Sequence, residues 1–313
     1  MIAFGPVPSR RLGQSLGINN IPPKVCTYAC VYCQLGATLQ MQIDRQTFYP
    51  LEQLVEEVQR KVASAWESGE AIDTLTFVPD GEPTLDANLG RAIALLRPLG
   101  LKIAVISNAS LLWRADVRAE LAEADWVSLK VDAATEELWR RVDRPHGKLR
   151  LAEIQTGMLE FARHFKGALV TETMLVDDLN VGEAALRDVA DFLAQVQPAR
   201  AYLAVPTRPP AEPWAVIPAE ALINRAYQLL SARVAQVETL IGYEGNAFAF
   251  TGNVEEDLLS ITAVHPMRED AVLAFLERAH ADWAVVQGLL TQARLVETTY
   301  GDHRFYLRKL GRN

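Results

Sequence analysis

From residue 51 onward the hydrophobic positions follow one rhythm. A short run dense in β-branched residues ends in a polar tip, and a stretch with helical spacing follows. Leu51, Leu54, Val55, Val58 and Val62 recur at intervals of three and four, which predicts a helix over 51–68. The apolar run at 74–78 predicts a buried strand. A helix over 87–96, stopped near Pro98 and Gly100, and a strand over 102–106 make the next unit. The same alternation predicts helices over 114–123, 151–165 and 183–195, with strands over 126–131, 168–176 and 201–205. Successive βα units imply a parallel sheet covered by helices, either an open doubly wound sheet or a barrel. In both, chemistry gathers at the C-terminal ends of the strands.

The rhythm breaks at Thr207-Arg-Pro-Pro-Ala-Glu-Pro213, where three prolines forbid regular structure. A helix over 218–234 follows, and the pattern changes again after Tyr243-Glu244-Gly245-Asn246. Beyond it the spacing predicts helices over 254–262, 268–278 and 282–292. Two strands, 294–299 and 303–309, then join at Tyr300-Gly301-Asp302. Helices ending in a β-hairpin outline a winged helix-turn-helix. The expected organisation is an α/β domain over 1–245 and a winged-helix-like α+β domain over 246–313.

Composition narrows the class. The 313 residues are 50% hydrophobic and 22% charged, with a formal net charge of -8. Such a balance suits a globular protein and argues against a surface that tracks nucleic acid or anionic membrane throughout. No apolar run approaches the ~18 residues of a membrane span, and Met1-Ile-Ala-Phe-Gly-Pro6 lacks the layout of a signal peptide. A cytoplasmic, reducing setting with no membrane partner is therefore expected.

Only three cysteines occur, and all fall within eight residues: Cys26, Cys30 and Cys33. An odd number packed this closely argues against a structural disulfide. Three thiolates at these spacings can hold three irons of a [4Fe-4S] cluster and leave the fourth without a protein ligand, which makes it a site for reaction. Zinc completed by a histidine is the other reading. However, structural zinc sites draw paired ligands from two segments, and His146, His164, His265, His280 and His303 all lie far from the loop.

Cys26-x-x-x-Cys30-x-Tyr32-Cys33 resembles the CxxxCxΦC signature of the radical S-adenosylmethionine (SAM) superfamily, whose fold is a partial (β/α)6 TIM-like barrel. The resemblance implies a [4Fe-4S] cluster held by the three cysteines and SAM bound at its open iron. Asp80-Gly81-Glu82-Pro83, at a predicted strand tip, is similar to the GGEP motif, so Gly81, Glu82 and Pro83 are expected to meet the SAM ammonium group. Ser107 and Asn108, at the next tip, resemble the segment that meets the ribose. Lys130, Asp132, Glu172 and Thr173 lie on the two strands after it, where the superfamily reads the SAM carboxylate and ribose. Tyr32 is expected beside the adenine. A narrower likeness, carried by Gly5 to Gly13, Cys26 to Gly36, Asp80 to Leu85, Leu129 to Ala133 and Arg208-Pro-Pro210, spans nearly the whole chain. It points to bacterial and archaeal iron-sulfur oxidoreductases distantly related to the radical SAM enzymes of wybutosine tRNA modification.

The resemblance implies reductive cleavage of SAM to methionine and a 5'-deoxyadenosyl radical that abstracts hydrogen from substrate. An electron donor of the flavodoxin or ferredoxin class would reduce the cluster. With no fourth cysteine the chain cannot carry a cysteine-ligated auxiliary cluster. Arg10, Arg11 and Arg208 are candidates for an anionic substrate. Residues 251–313 hold 7 Lys/Arg against 9 Asp/Glu, and the helix over 282–292 has no basic residue. A peptide, protein or small-molecule substrate is thus favoured over tRNA. Two rival readings stand: a tRNA-base-modifying enzyme, and a non-catalytic zinc or iron-sulfur adaptor.

Overall fold

A computed structural model describes residues 2–242 and 245–309. Tyr243 and Glu244, where the sequence pattern changes, lie outside the described residues. In chain order the elements are β1 (Ala3–Ser9), β2 (Gly13–Ile18), β3 (Val25–Cys26), β4 (Gln40–Met41), α1 (Leu51–Glu67), β5 (Thr74–Phe77), α2 (Leu89–Leu96), β6 (Lys102–Ser107), α3 (Ala115–Leu121), β7 (Trp126–Lys130), α4 (Glu136–Val142), α5 (Leu151–His164), β8 (Ala168–Met174), α6 (Glu183–Val196), β9 (Arg200–Ala204), α7 (Glu220–Ser231) and β10 (Val237–Leu240). The C-terminal part adds α8 (Val254–Val264), β11 (Met267–Arg268), α9 (Glu269–Arg278), α10 (Ala284–Thr291), β12 (Leu295–Tyr300) and β13 (His303–Arg308).

One eight-stranded sheet runs β1-β2-β5-β6-β7-β8-β9-β10. Every neighbouring pair from β2 to β10 is parallel, and only β1 runs antiparallel, on β2. The alternating apolar runs thus became a parallel sheet with helices between successive strands. Helix α1 shows how: Leu51, Leu54, Val58, Val62 and Ala65 share its buried face. Burial of each larger side chain stabilises the fold by roughly 1.5–3 kcal/mol, and truncating Leu54 to alanine would cost about 2–5 kcal/mol.

Three elements of this sheet were not foreseen. Strand β1 carries Pro6 and Pro8, which normally argue against a strand, but it lies at the sheet edge with a register shift between Phe4 and Val7. An edge tolerates residues without an N–H. Strand β2 reads Gly-Gln-Ser-Leu-Gly-Ile, so only its last residues announce burial. Strand β10, at the other margin, is half-buried and correspondingly poor in apolar signal. Within the connection from β7 to β8, the short helix α4 also went unpredicted.

The two margins approach each other. Arg10, in the turn between β1 and β2, donates to the carbonyls of Ile241 (2.9 Å) and Gly242 (3.3 Å), just past β10. The sheet therefore curls, bringing the C-terminal ends of its parallel strands around one opening.

The C-terminal elements form a three-stranded sheet, β11-β13-β12, with α8, α9 and α10 against it. Their core takes in Phe4 and Val7 of β1, while Ile2 and Ala3 belong to the core under the large sheet. Strand β1 is thus shared. Lys61 on α1 bonds Asp257 on α8 at 2.8 Å, and Asp257 also accepts from the Thr251 amide and hydroxyl. No helix among the described residues is long and apolar enough to cross a membrane.

Candidate functional site

The parallel strand ends open into a pocket of about 310 Å³ lined by all three cysteines. Cys26 ends β3, which pairs with β4 through Cys26 and Met41. The next two cysteines lie on consecutive tight turns, the Cys33 amide bonding the Cys30 carbonyl (3.1 Å) and the Gly36 amide the Cys33 carbonyl (3.0 Å). Behind the loop, the backbone at 142–146 runs alongside it: Val31 N bonds Val142 O at 3.0 Å, and His146 N bonds Thr27 O at 2.9 Å.

Burial pushes the Cys26 thiol up to about 12 and Cys30 well above its ordinary range, where the Asp143 charge adds to the effect. Burial also raises Cys33, against an amide bond from Leu35 and the nearby Lys24. The Cys30 Sγ lies 3.3 Å from an Asp143 carboxylate oxygen. Three such thiols ionise together only when a cationic centre compensates their charge. Among the described residues no three His, Cys, Asp or Glu side chains are arranged for a single metal ion. An all-sulfur donor set on one loop suits an iron-sulfur cluster, whose irons take one cysteine each.

The Asp80-Gly81-Glu82-Pro83 turn follows β5. A Cβ on Gly81 would stand 1.8 Å from the Val25 carbonyl oxygen, so only glycine lets this turn lie against the cysteine loop. Glu82 is buried and occupied: one oxygen accepts from the Thr84 amide (3.0 Å), the Thr84 hydroxyl (2.6 Å) and the Ser107 hydroxyl (2.8 Å), the other from the Asn108 amide (2.7 Å). Burial raises its carboxyl and these bonds work against the rise. Its visible work is to tie the tips of β5 and β6 together. Asn108 Nδ2 donates to Thr27 (2.8 Å) and stands 3.6 Å from Cys26 Sγ.

The neighbouring Asp80, not singled out in the sequence, is the unsatisfied carboxylate. It is 2% exposed, lines the pocket, and neither oxygen has a hydrogen-bond partner. Burial pushes it up to about 7, against the pull of Lys24 and Arg308. A buried carboxylate without donors is stabilised by a cation that arrives with a ligand.

On the next strands Glu172 bonds both Arg11 and Lys130, the latter at 2.7 Å. Burial works to raise the Glu172 carboxyl, but the two cations hold it at about 2. Asp132 and Glu172 raise Lys130 despite its burial. Lys130 Nζ lies 4.8 Å from the Tyr32 ring centroid, and the Tyr32 hydroxyl donates to Asp132. Arg11 also stacks over Trp126 and Tyr202, at 5.9 and 5.7 Å.

Thirteen of the sixteen sequence-derived site residues line the pocket; Pro83, Asp132 and Thr173 do not. The Thr173 hydroxyl is spent on the Val131 carbonyl at 2.7 Å, and Asp132 receives the Met174 amide at 2.6 Å. Pro83 is buried, with its carbonyl bonded by Asn20. Arg208 donates to Gln34 (2.7 Å), the residue after Cys33, and to Nε2 of His265 (3.0 Å) at the end of α8. Burial, then the Arg208 charge, holds His265 well below its usual range, so it accepts as a neutral ring. Gln34 Nε2 bonds the Val264 carbonyl at 3.2 Å. The C-terminal part is thereby wired to the cysteine loop through Arg208, a candidate from the sequence, and through Gln34 and His265, which were not among the sequence-derived site residues.

Comparison with known proteins agrees with this geometry. The chain is 41% identical to UPF0026 protein MJ1312 of Methanocaldococcus jannaschii over 311 residues, covering 99% of this chain and 96% of that one. It is 35% identical over 211 residues to a UPF0026 protein of Helicobacter pylori, covering 66% and 67%. Among solved structures, a radical SAM methyltransferase from Sphaerobacter thermophilus superposes with TM-score 0.55 at 17% identity, covering 72% of this chain and 66% of that one. The structure of TYW1 with a lysine-pyruvate adduct gives TM-score 0.56 at 16% identity, covering 70% and 74%; at such identities the likeness is one of fold. The sequence pattern of the radical SAM superfamily matches residues 20–192. With its three-cysteine loop set at the C-terminal rim of a parallel sheet, the chain belongs to the radical SAM superfamily.

Proposed function

We propose that this protein is a radical SAM enzyme of the partial (β/α)6 barrel type, with one [4Fe-4S] cluster on Cys26, Cys30 and Cys33 and a winged-helix-like C-terminal domain. When bound, the cluster and SAM supply one-electron cleavage to methionine and a 5'-deoxyadenosyl radical that takes hydrogen from a substrate. The observation that carries the reading is the shared pocket: the three thiol-bearing residues and the Asp80-Gly81-Glu82 turn line one cavity at the strand ends.

The chain's own residues divide the work. Asp80 accepts from the ammonium group of the ligand, and Glu82 braces the turn that presents it. Asn108 holds the cysteine loop through Thr27. Arg11, Glu172 and Lys130 form a charged wall on which carboxylate and hydroxyl groups can be oriented. Gln34, Arg208 and His265 close the side towards the C-terminal domain and limit water entry.

The test is anaerobic reconstitution with iron and sulfide, followed by dithionite and SAM. The expected result is brown protein with close to four irons and sulfides, on the order of one [4Fe-4S] cluster per chain, and release of 5'-deoxyadenosine. Colourless protein that retains one zinc and leaves SAM intact would establish the adaptor instead. Salt-sensitive retention of tRNA by the reconstituted enzyme would move the substrate to nucleic acid.

A further inference from the structure

One side of the pocket is committed to the cluster and SAM under the reading above: the cysteine loop, the turn after β5, the Ser107-Asn108 tip and the charged wall of Arg11, Lys130 and Glu172. The other side has no task in that reading. It includes Arg10, Leu240 and the segment from Val205 to Arg208. Leu240 and Ala204 are register partners at the ends of β10 and β9, so the chain leaves the sheet side by side at these two places.

Arg10 supplies the charge of this side. Its guanidinium donates to the carbonyls of Ile241 and Gly242, which orient it without cancelling its charge. Among the described residues it forms no ion pair. The acids of the lining are engaged elsewhere: Glu172 between Arg11 and Lys130, Glu82 by Thr84, Ser107 and Asn108, and Asp80 in the field of Lys24. Asp73 meets the same turn through the Gln14 amide at 2.7 Å and is not paired with Arg10. Val205 and Pro206 are buried and Leu240 is half-buried, so the cation stands beside apolar surface. An uncancelled guanidinium next to apolar walls suits a small organic anion.

The C-terminal part adds no residue to the lining, yet it holds this wall from behind. The Tyr300 hydroxyl, at the end of β12, donates to the Pro206 carbonyl at 3.0 Å. Neutral His265 accepts from Arg208 at 3.0 Å. The Val264 carbonyl holds Gln34, which accepts from Arg208 at 2.7 Å.

Resting on the radical SAM reading, we propose that the side of the pocket between Arg10 and the Val205–Arg208 segment takes the oxyanion group, carboxylate or phosphate, of a small organic substrate, and that Tyr300 and His265 position its wall. Arg10 meets the anion. Tyr300 and His265 act through Pro206 and Arg208, since neither reaches the cavity. The C-terminal domain is then a fixed part of the substrate site, and placement of the substrate depends on it.

The experiment measures binding of inorganic phosphate and, separately, of succinate to the reconstituted protein with SAM, by calorimetry at constant ionic strength. Wild type should bind at least one of them saturably, with an affinity of about a millimolar, and the better probe tells phosphate from carboxylate. Arg10→Gln should weaken that binding roughly tenfold or more, the loss of one charge-assisted contact. Arg10→Lys keeps the charge and should stay within about threefold of wild type. His265→Leu and Tyr300→Phe should each weaken it about three- to tenfold, whereas His265→Gln, which retains an acceptor for Arg208, should restore it to within about twofold. A purely structural histidine would leave the glutamine and leucine variants equally impaired, and that result overturns the positioning role. Absence of binding of both probes, or equal binding by Arg10→Gln, overturns the subsite, as does tRNA retention that depends on Arg10 when neither small anion binds. Failure of dithionite to drive SAM cleavage in wild type overturns the enzyme reading alone, leaving the probe comparison to decide the subsite.

Discussion

Replacing Asp80 by asparagine should make the cluster-free protein more stable while weakening SAM binding. The side chain keeps its shape and loses a charge that the fold does not satisfy: both oxygens are buried and neither receives a hydrogen bond. Burial moves the carboxyl from an ordinary 3.8 to about 7, against Lys24 and Arg308. At ~1.4 kcal/mol per factor of ten, that displacement corresponds to ~4 kcal/mol at neutral pH. The asparagine amide is itself left without partners, so a net gain of about 2–3 kcal/mol is expected.

The sign follows from linkage. A carboxyl whose folded pKa is raised binds protons more tightly in the folded state. Its penalty is therefore absent below about 4, grows as pH rises towards about 7 and is constant above. Urea denaturation of the apoprotein from pH 5 to 8 should show the advantage of Asp80→Asn growing with pH and levelling off near neutrality. In the reconstituted protein, calorimetry should show SAM affinity at least ~10-fold lower, the loss of one charge-assisted contact. A variant that is less stable than wild type, or whose advantage does not vary with pH, would refute the unsatisfied-carboxylate reasoning.

Glu82→Ala should behave oppositely, because it strands the Thr84 and Asn108 amides. A loss of ~3–5 kcal/mol is expected by urea denaturation of the apoprotein, and a value within ~1 kcal/mol of wild type would remove its bracing role. Glu172→Gln removes the carboxylate charge that Arg11 and Lys130 share and should cost about 3–5 kcal/mol. Since the Glu172 carboxyl is held at about 2, its contribution is full above 4.5 and is lost as pH falls through about 2. Acid-denaturation curves of the variant should therefore lack that component. Cys30→Ala should abolish iron incorporation, measured by metal analysis after reconstitution, while leaving the far-ultraviolet circular dichroism unchanged.

The alternation of apolar runs and helical stretches was legible because each βα unit buries a strand on both faces and one stripe of a helix. Such burial writes a strong local pattern. The margins of the sheet were not legible for the converse reason. Strand β1 contains two prolines that only an edge position tolerates, and β10 is half-buried, so neither shows the apolar density of a central strand. The cysteine loop and the Gly81-Glu82 and Ser107-Asn108 tips were found from their residue types. Their division of labour was not, since hydrogen-bond saturation depends on neighbours 25 or 26 positions away in the chain.

Sequence alone determined the chemistry this protein can hold: three thiols in one loop, no fourth, and an ordered series of polar strand tips. Those properties are local and survive in the unfolded chain. Tertiary structure decided which acid is saturated: Glu82 accepts four hydrogen bonds, while neither buried oxygen of Asp80 accepts one. It also decided that Arg208 and His265 link the C-terminal part to the cysteine loop, and that a basic segment over a hundred residues further along lies against that loop. These facts depend on long-range contacts, and a contact exists only when the packing of the curled sheet brings its two partners within reach.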